Sequence, residues 1–83
     1  MKTRVVIRNL PSDIEKKHVE TLVSRFGKIK STYVARDPEK PNLAFAEVVM
    51  TKETEAENAA DALSDESWHG KVLEAELAEE DWE

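Results

Sequence analysis

The chain has no cysteine, and only two glycines and three prolines among its 83 residues. Without cysteine, neither a disulfide framework nor a thiolate metal site can hold it together. With Gly27 and Gly70 alone, no glycine-rich phosphate cradle can be built, and no G-x-S-x-G or P-loop pattern occurs. His18 and His69 stand far apart, with no neighbouring cysteine and no carboxylates at ligand spacing, so no metal site is expected. No apolar run approaches the ~20 residues of a membrane span, and no signal-peptide core follows Met1-Lys2-Thr3. Together these absences lead to the expectation of a soluble, non-enzymatic, intracellular domain, in the nucleus or the cytoplasm. No cofactor, small-molecule substrate or membrane partner is expected.

What is present is charge, unevenly distributed. The formal net charge is -6, the wrong sign for a generic polyanion binder, since phosphate contacts need Lys and Arg. The average hides a division. Residues 1–46 hold ten Lys/Arg against five Asp/Glu, a net of +5; residues 47–83 hold two against thirteen, a net of -11. Such asymmetry predicts two differently charged surfaces if the fold keeps the halves apart. A solvated helix face and an acidic tail account for much of the excess equally well.

Hydrophobic periodicity predicts six elements. Arg4 to Asn9 is a β-branched run that reads as a strand. A helical pattern follows with Ile14, Val19, Leu22, Val23 and Phe26. Ser12 with Glu15 resembles a capping box before it, and Gly27 sits where a helix end favours a left-handed residue. Ile29 to Arg36 is a second strand, and Asp37 to Asn42, with two prolines, is a turn. Leu43 to Met50 is the most apolar strand. A second helix spans Lys52 to Ser64, with Thr51 as N-cap and Ala56, Ala59, Ala60 and Leu63 as its buried stripe. A last strand covers Val72 to Ala78. The domain is expected over residues 1–79, with 80–83 as an acidic tail.

Four local patterns in register carry a resemblance. Val5-Val6-Ile7-Arg8-Asn9-Leu10 follows the hexamer aliphatic, aromatic, aliphatic, any, Asn, Leu, except at its second position. Pro41 to Val48 lies where an octamer opens on a basic residue and glycine and carries aromatics at its third and fifth positions. Phe26-Gly27-Lys28-Ile29 closes the first helix, and Gly70-Lys71-Val72-Leu73 enters the last strand. Over essentially its whole length the chain resembles the RNA recognition motif family. The resemblance implies an α+β, ferredoxin-like βαββαβ sandwich. In it a four-stranded antiparallel sheet of order 4-1-3-2 carries both helices on one face.

In that family the second hexamer position and the third and fifth octamer positions supply aromatics that stack on bases. Here those positions are Val6, Leu43 and Phe45, so Phe45 alone can stack in the family's manner. The family register would place Val6 opposite Phe45, Arg8 opposite Leu43 and Arg4 opposite Glu47. Strand alternation turns Val5, Ile7, Ala44, Ala46 and Val48 toward the helices. It leaves Val6, Arg8, Leu43, Phe45 and Tyr33 outward, with Glu74 and Glu76 on the last strand. Lys28, Lys30, Arg36 and Lys40 form a basic edge on the second strand and its loop.

The expected function is a single-stranded RNA-binding module of RNA processing or regulation. It would bind through Phe45, Tyr33, Arg8, Val6 and Leu43 with Lys28, Lys30, Arg36 and Lys40. The alternative is a protein-protein interaction module of the same fold, using the sheet face or the acidic second helix. Trp68 is expected to pack on the core edge, the alternative being a partner contact. Trp82 either folds back over the sheet, ends a disordered tail or meets a partner.

Overall fold

In the computed structural model of the protein, residues 3–68 and 70–78 are described. The first strand, β1 (Arg4–Pro11), lies at the centre of the sheet. Its run Val5-Val6-Ile7 is buried on both faces, which suits β-branched side chains on a central strand. Pro11, unable to donate to a ladder, sits at the strand's end.

Helix α1 (Lys16–Ser24) starts later than the capping expectation placed it. The Ile14 N–H donates to the Pro11 carbonyl at 3.1 Å, so Ser12 and Asp13 belong to a tight turn. The N-cap is Glu15, whose side chain accepts from the third helical N–H. His18 Nδ1 accepts the Glu15 N–H at 3.1 Å in return. The box is therefore Glu15 with His18, because the turn at Pro11 uses up the residues before it. At the other end the cap is Arg25, in right-handed conformation. Gly27 takes φ +157°, a positive-φ backbone that L side chains rarely adopt. A Cβ there would collide with the Glu55 side chain, which accepts the Lys28 N–H at 3.3 Å.

Strand β2 (Ile29–Arg36) pairs with β3 (Leu43–Met50), and β3 with β1, both antiparallel. On β3, Ala44, Ala46, Val48 and Met50 are buried and the residues between them are not. That is the period-two pattern of a strand with one closed face. Helix α2 (Glu53–Leu63) buries Ala56, Ala59, Ala60 and Leu63, as its stripe predicts. Three alanines let it lie close against the sheet. Its N-cap is Lys52 rather than Thr51, since the first intrahelical bond runs from the Ala56 N–H to the Lys52 carbonyl at 3.1 Å.

The chain from 67 to 78 is not the single strand expected from Val72 onward. A short hairpin forms first, β4 (Ser67–Trp68) with β5 (Lys71–Val72). Gly70, at φ +80°, supplies the left-handed backbone such a reversal requires. Leu73 is fully buried and donates its N–H to the Glu66 carbonyl at 2.8 Å. This anchor separates the hairpin from β6 (Glu74–Ala78), which joins the sheet beside β1. Trp68 is half-buried and packs on the core edge. The sheet order is β2-β3-β1-β6, the expected 4-1-3-2 arrangement read from the other edge. The core lies between this sheet and the two helices, built on Ile7, Leu10, Val23, Val48, Leu63 and Leu73. The acidic tail expected over 80–83, with Trp82, lies outside the described residues, as does His69.

Candidate nucleic-acid interface

The register of β1 decides which side chains the open face presents. Val6 is opposite Glu47 and Arg4 opposite Val49, an offset of two residues from the family register expected above. Beyond Ile7, opposite Ala46, the register slips by one further residue, so that Leu10 lies opposite Ala44. Two residues of β1, Arg8 and Asn9, face the single Phe45 there, which is a β-bulge. Asn9 absorbs it at φ 68°, a left-handed conformation that asparagine tolerates better than most residues. Its Nδ2 also donates to the Val72 carbonyl at 2.6 Å, tying the bulge to the β4–β5 hairpin. Without the extra residue, Leu10 would fall on the open face. With it, Ile7 and Leu10 both enter the core.

Three rows cross the open face from β2 to β6. The first is Ala35, Phe45, Arg8 at the bulge, and Glu74. The second is Tyr33, Glu47, Val6 and Glu76, and the third is Ser31, Val49, Arg4 and Ala78. Tyr33 is 58% exposed, and its ring lies 6.2 Å from that of Phe45 at an interplanar angle of 60°. The two rings form a tilted pair on the β2–β3 half of the face. On the other half, Glu74 and Glu76 are exposed.

Two cations sit between these halves. Arg4 Nη1 donates to Glu47 Oε1 at 2.7 Å, with both side chains about one-third exposed. Arg8 is exposed, and among the described residues it has no ion pair within 4 Å. It is the side chain at which the concavities of this face converge. One, of about 330 Å³, is lined by Arg8, Phe45 and Glu47 with Asp37, Pro38 and Glu39 of the β2–β3 loop. A smaller one, of about 120 Å³, brings Lys40 and Leu43 to Arg8. A third, of about 360 Å³, joins Arg8 and Val6 to Glu74, Glu76 and Asp65.

The structure thus brings Phe45, Tyr33, Arg8 and Leu43 to one face, as the strand alternation predicts. Val6 is on that face but only 7% exposed, hemmed by its cross-strand neighbours Glu47 and Glu76. It can form part of a floor and offers almost no surface of its own. The basic edge is not continuous. Lys28 and Lys30 lie at the start of β2, Arg36 and Lys40 at its far end, roughly 25 Å away for a strand of this length. Arg36 pairs with the buried Ala44, so its register puts it on the helix side of the sheet with Thr32 and Val34. The expectation missed the loop carboxylates Asp37 and Glu39. They crowd the same concavity as Phe45, and their closeness to Arg8 follows from the bulge rather than from any local pattern.

The family model for the RNA recognition motif matches residues 5–74 of the chain. The chain belongs to the RNA recognition motif family. As a member it is 36% identical over 78 residues to the Multiple RNA-binding domain-containing protein 1 of Saccharomyces cerevisiae, covering 94% of this chain and 9% of that protein. It is 35% identical over 78 residues to the chloroplastic 28 kDa ribonucleoprotein of Spinacia oleracea, covering 93% of this chain and 34% of that one. This RNA recognition motif therefore spans a tenth to a third of the relatives it matches. The solved Pes4 RRM3 structure superposes with a TM-score of 0.86 at 23% identity, over 98% of this chain and 96% of that one, which establishes the fold.

Proposed function

We propose that this RNA recognition motif is a single-stranded RNA-binding module of RNA processing or regulation, acting through one half of its open face. The observation that carries the reading is the Tyr33–Phe45 ring pair on the open face with the exposed Arg8 beside it. Aromatic faces stack on any base and are worth roughly 1–3 kcal/mol each, while an exposed guanidinium supplies the phosphate or base contact. Leu43 and the rim of Val6 extend the floor. Lys40 reaches the face through the loop, and Lys28, Lys30 and Arg36 act as outlying cations. Both relatives carry RNA or ribonucleoprotein in their names.

Aliphatic residues at two stacking positions make the module weak by itself. In a longer protein, affinity would come from neighbouring domains that raise the effective concentration. The domain is taken to run over residues 1–79, with 80–83 as an acidic tail, in a nuclear or cytoplasmic protein. Among the described residues no helix is long and apolar enough to cross a membrane.

An NMR titration with a pool of short single-stranded RNAs, at low and moderate salt, tests the proposal. Shifts should cluster at Phe45, Tyr33 and Arg8 and weaken as salt rises. A face that stays unshifted at high RNA concentration would overturn it. The second reading is a protein-interaction module. It is favoured by a concavity of about 410 Å³ between α2 and the edge strand β6, where Glu57, Asp61 and Glu76 rim Ala60, Ala75 and Leu77. Charge complementarity suits that groove to a basic peptide.

A further inference from the structure

A carboxylate stands where a stacking surface would be expected to be apolar. Glu47 is the direct cross-strand partner of Tyr33 and follows Phe45 by two residues on the same face. Each ring is therefore one pair spacing from it, about 5 Å across the strands and about 7 Å along the strand. Glu47 is also held. The Arg4 guanidinium donates to its Oε1 at 2.7 Å, which fixes the side chain and offsets its charge beside an approaching phosphate chain. An ionised carboxylate offers about four acceptor sites over two oxygens. Among the described residues, the Arg4 hydrogen bond falls on Oε1 and none falls on Oε2. The side chain remains 31% exposed.

An acceptor-only group discriminates among bases by what their edges donate. On its Watson–Crick edge, guanine sets N1–H beside the N2 amino group, two parallel donors that match the two oxygens of a carboxylate. Cytosine and adenine set their single amino group beside a ring nitrogen that is itself an acceptor. Uracil sets N3–H between two carbonyl oxygens. Three bases thus bring at least one lone pair against Glu47, and guanine brings none. We infer that Glu47, positioned by Arg4, is a base-reading residue that selects guanine for the nucleotide stacked on the Tyr33–Phe45 pair. The inference rests on the RNA reading of the open face and specifies its ligand.

The test uses three labelled oligonucleotides: an all-uridine strand, the same strand with one central guanosine, and the same with inosine, which lacks only the N2 amino group. Anisotropy titrations of the whole chain should rank guanosine above inosine above uridine, with guanosine about tenfold tighter than uridine. Glu47→Gln replaces one acceptor with a donor at constant size and should erase the ranking. Its amide spectrum shows whether the sheet is intact. Equal binding of all three strands by the unaltered chain, or a guanosine preference that survives Glu47→Gln, overturns the inference and leaves RNA binding standing. Failure of every strand to bind overturns the RNA reading and the inference with it.

Discussion

One residue step along each strand separates the row Val34, Ala46, Ile7, Ala75 from the row Tyr33, Glu47, Val6, Glu76. The first row is wholly apolar and faces the helices. The second carries two carboxylates, one aromatic ring and one valine. The same backbone thus supports two surfaces with separate tasks. Side chains of the first row are constrained by volume, because they meet α1 and α2 across a close-packed layer. Tyr33 and Glu76 in the second are exposed to what approaches from solvent, while Val6 is buried between its neighbours and Glu47 is held by Arg4. Substitutions that respect this division should move stability or binding, and seldom both.

The largest effect is expected from Ile7→Ala. Ile7 is fully buried between Ala46 and Ala75, and its small neighbours cannot expand to fill the space it would leave. The loss should be about 2–5 kcal/mol of folding stability, measured by urea unfolding. A loss below about 1 kcal/mol would mean that the sheet and helices are not packed as described. Next is Phe45→Ala on the other face. It should weaken binding to a short single-stranded RNA by about 1–3 kcal/mol. Its stability loss should be smaller than that of Ile7→Ala, since Phe45 is only partly buried. If Phe45→Ala unfolds the domain without a binding change in the folded fraction, the open face is structural and the comparison collapses.

The helix-facing surface was legible in the residues because burial imposes a period. The alternation of Leu43 to Met50 and the Ala56, Ala59, Ala60, Leu63 stripe each name their own inward side. The membership of the open face was legible from the same alternation, but its neighbour relations were not. Which open-face side chains are neighbours depends on register, and beyond Ile7 the register slips by one at Asn9, a single left-handed residue inside a strand. A trace of it was present: Ile7 and Leu10 are both large and apolar yet three apart, which no unbroken strand can bury on one side. Arg36 was read as part of a basic edge with no face assigned to it. Its charge was read without its pairing to Ala44. The β4–β5 hairpin gave even less signal, since two-residue strands have no period to detect.

A third substitution, Arg8→Gln, removes the cation at the junction of the open-face concavities. RNA affinity should fall at low salt. The slope of log affinity against log salt should shrink by about 0.7, the share of one phosphate contact on a single strand. An unchanged slope with reduced affinity would instead assign Arg8 to a base edge, where the interaction is a hydrogen bond rather than counterion release. Either result refines the division between the two faces by saying what kind of contact the open one makes.

The smallest effect, and the one of opposite sign, concerns the acidic border. Glu74 lies directly across from Arg8 on β6, exposed, and nothing among the described residues pairs with its carboxylate within 4 Å. An exposed charge at this spacing is weakened by water and salt and acts over about one Debye length, roughly 8 Å at physiological ionic strength. It therefore cannot block the face. It can only lower the local potential that Arg8 offers to a phosphate. Glu74→Gln should raise RNA affinity about two- to fivefold at low salt and leave it nearly unchanged at high salt, with folding stability within about 0.5 kcal/mol of the parent. A gain that persists at high salt would mean that Glu74 holds Arg8 out of reach through direct contact. The acidic edge would then act as a brake on the ring pair and Arg8, and the face would be one coupled surface rather than a receptive half beside a repelling one.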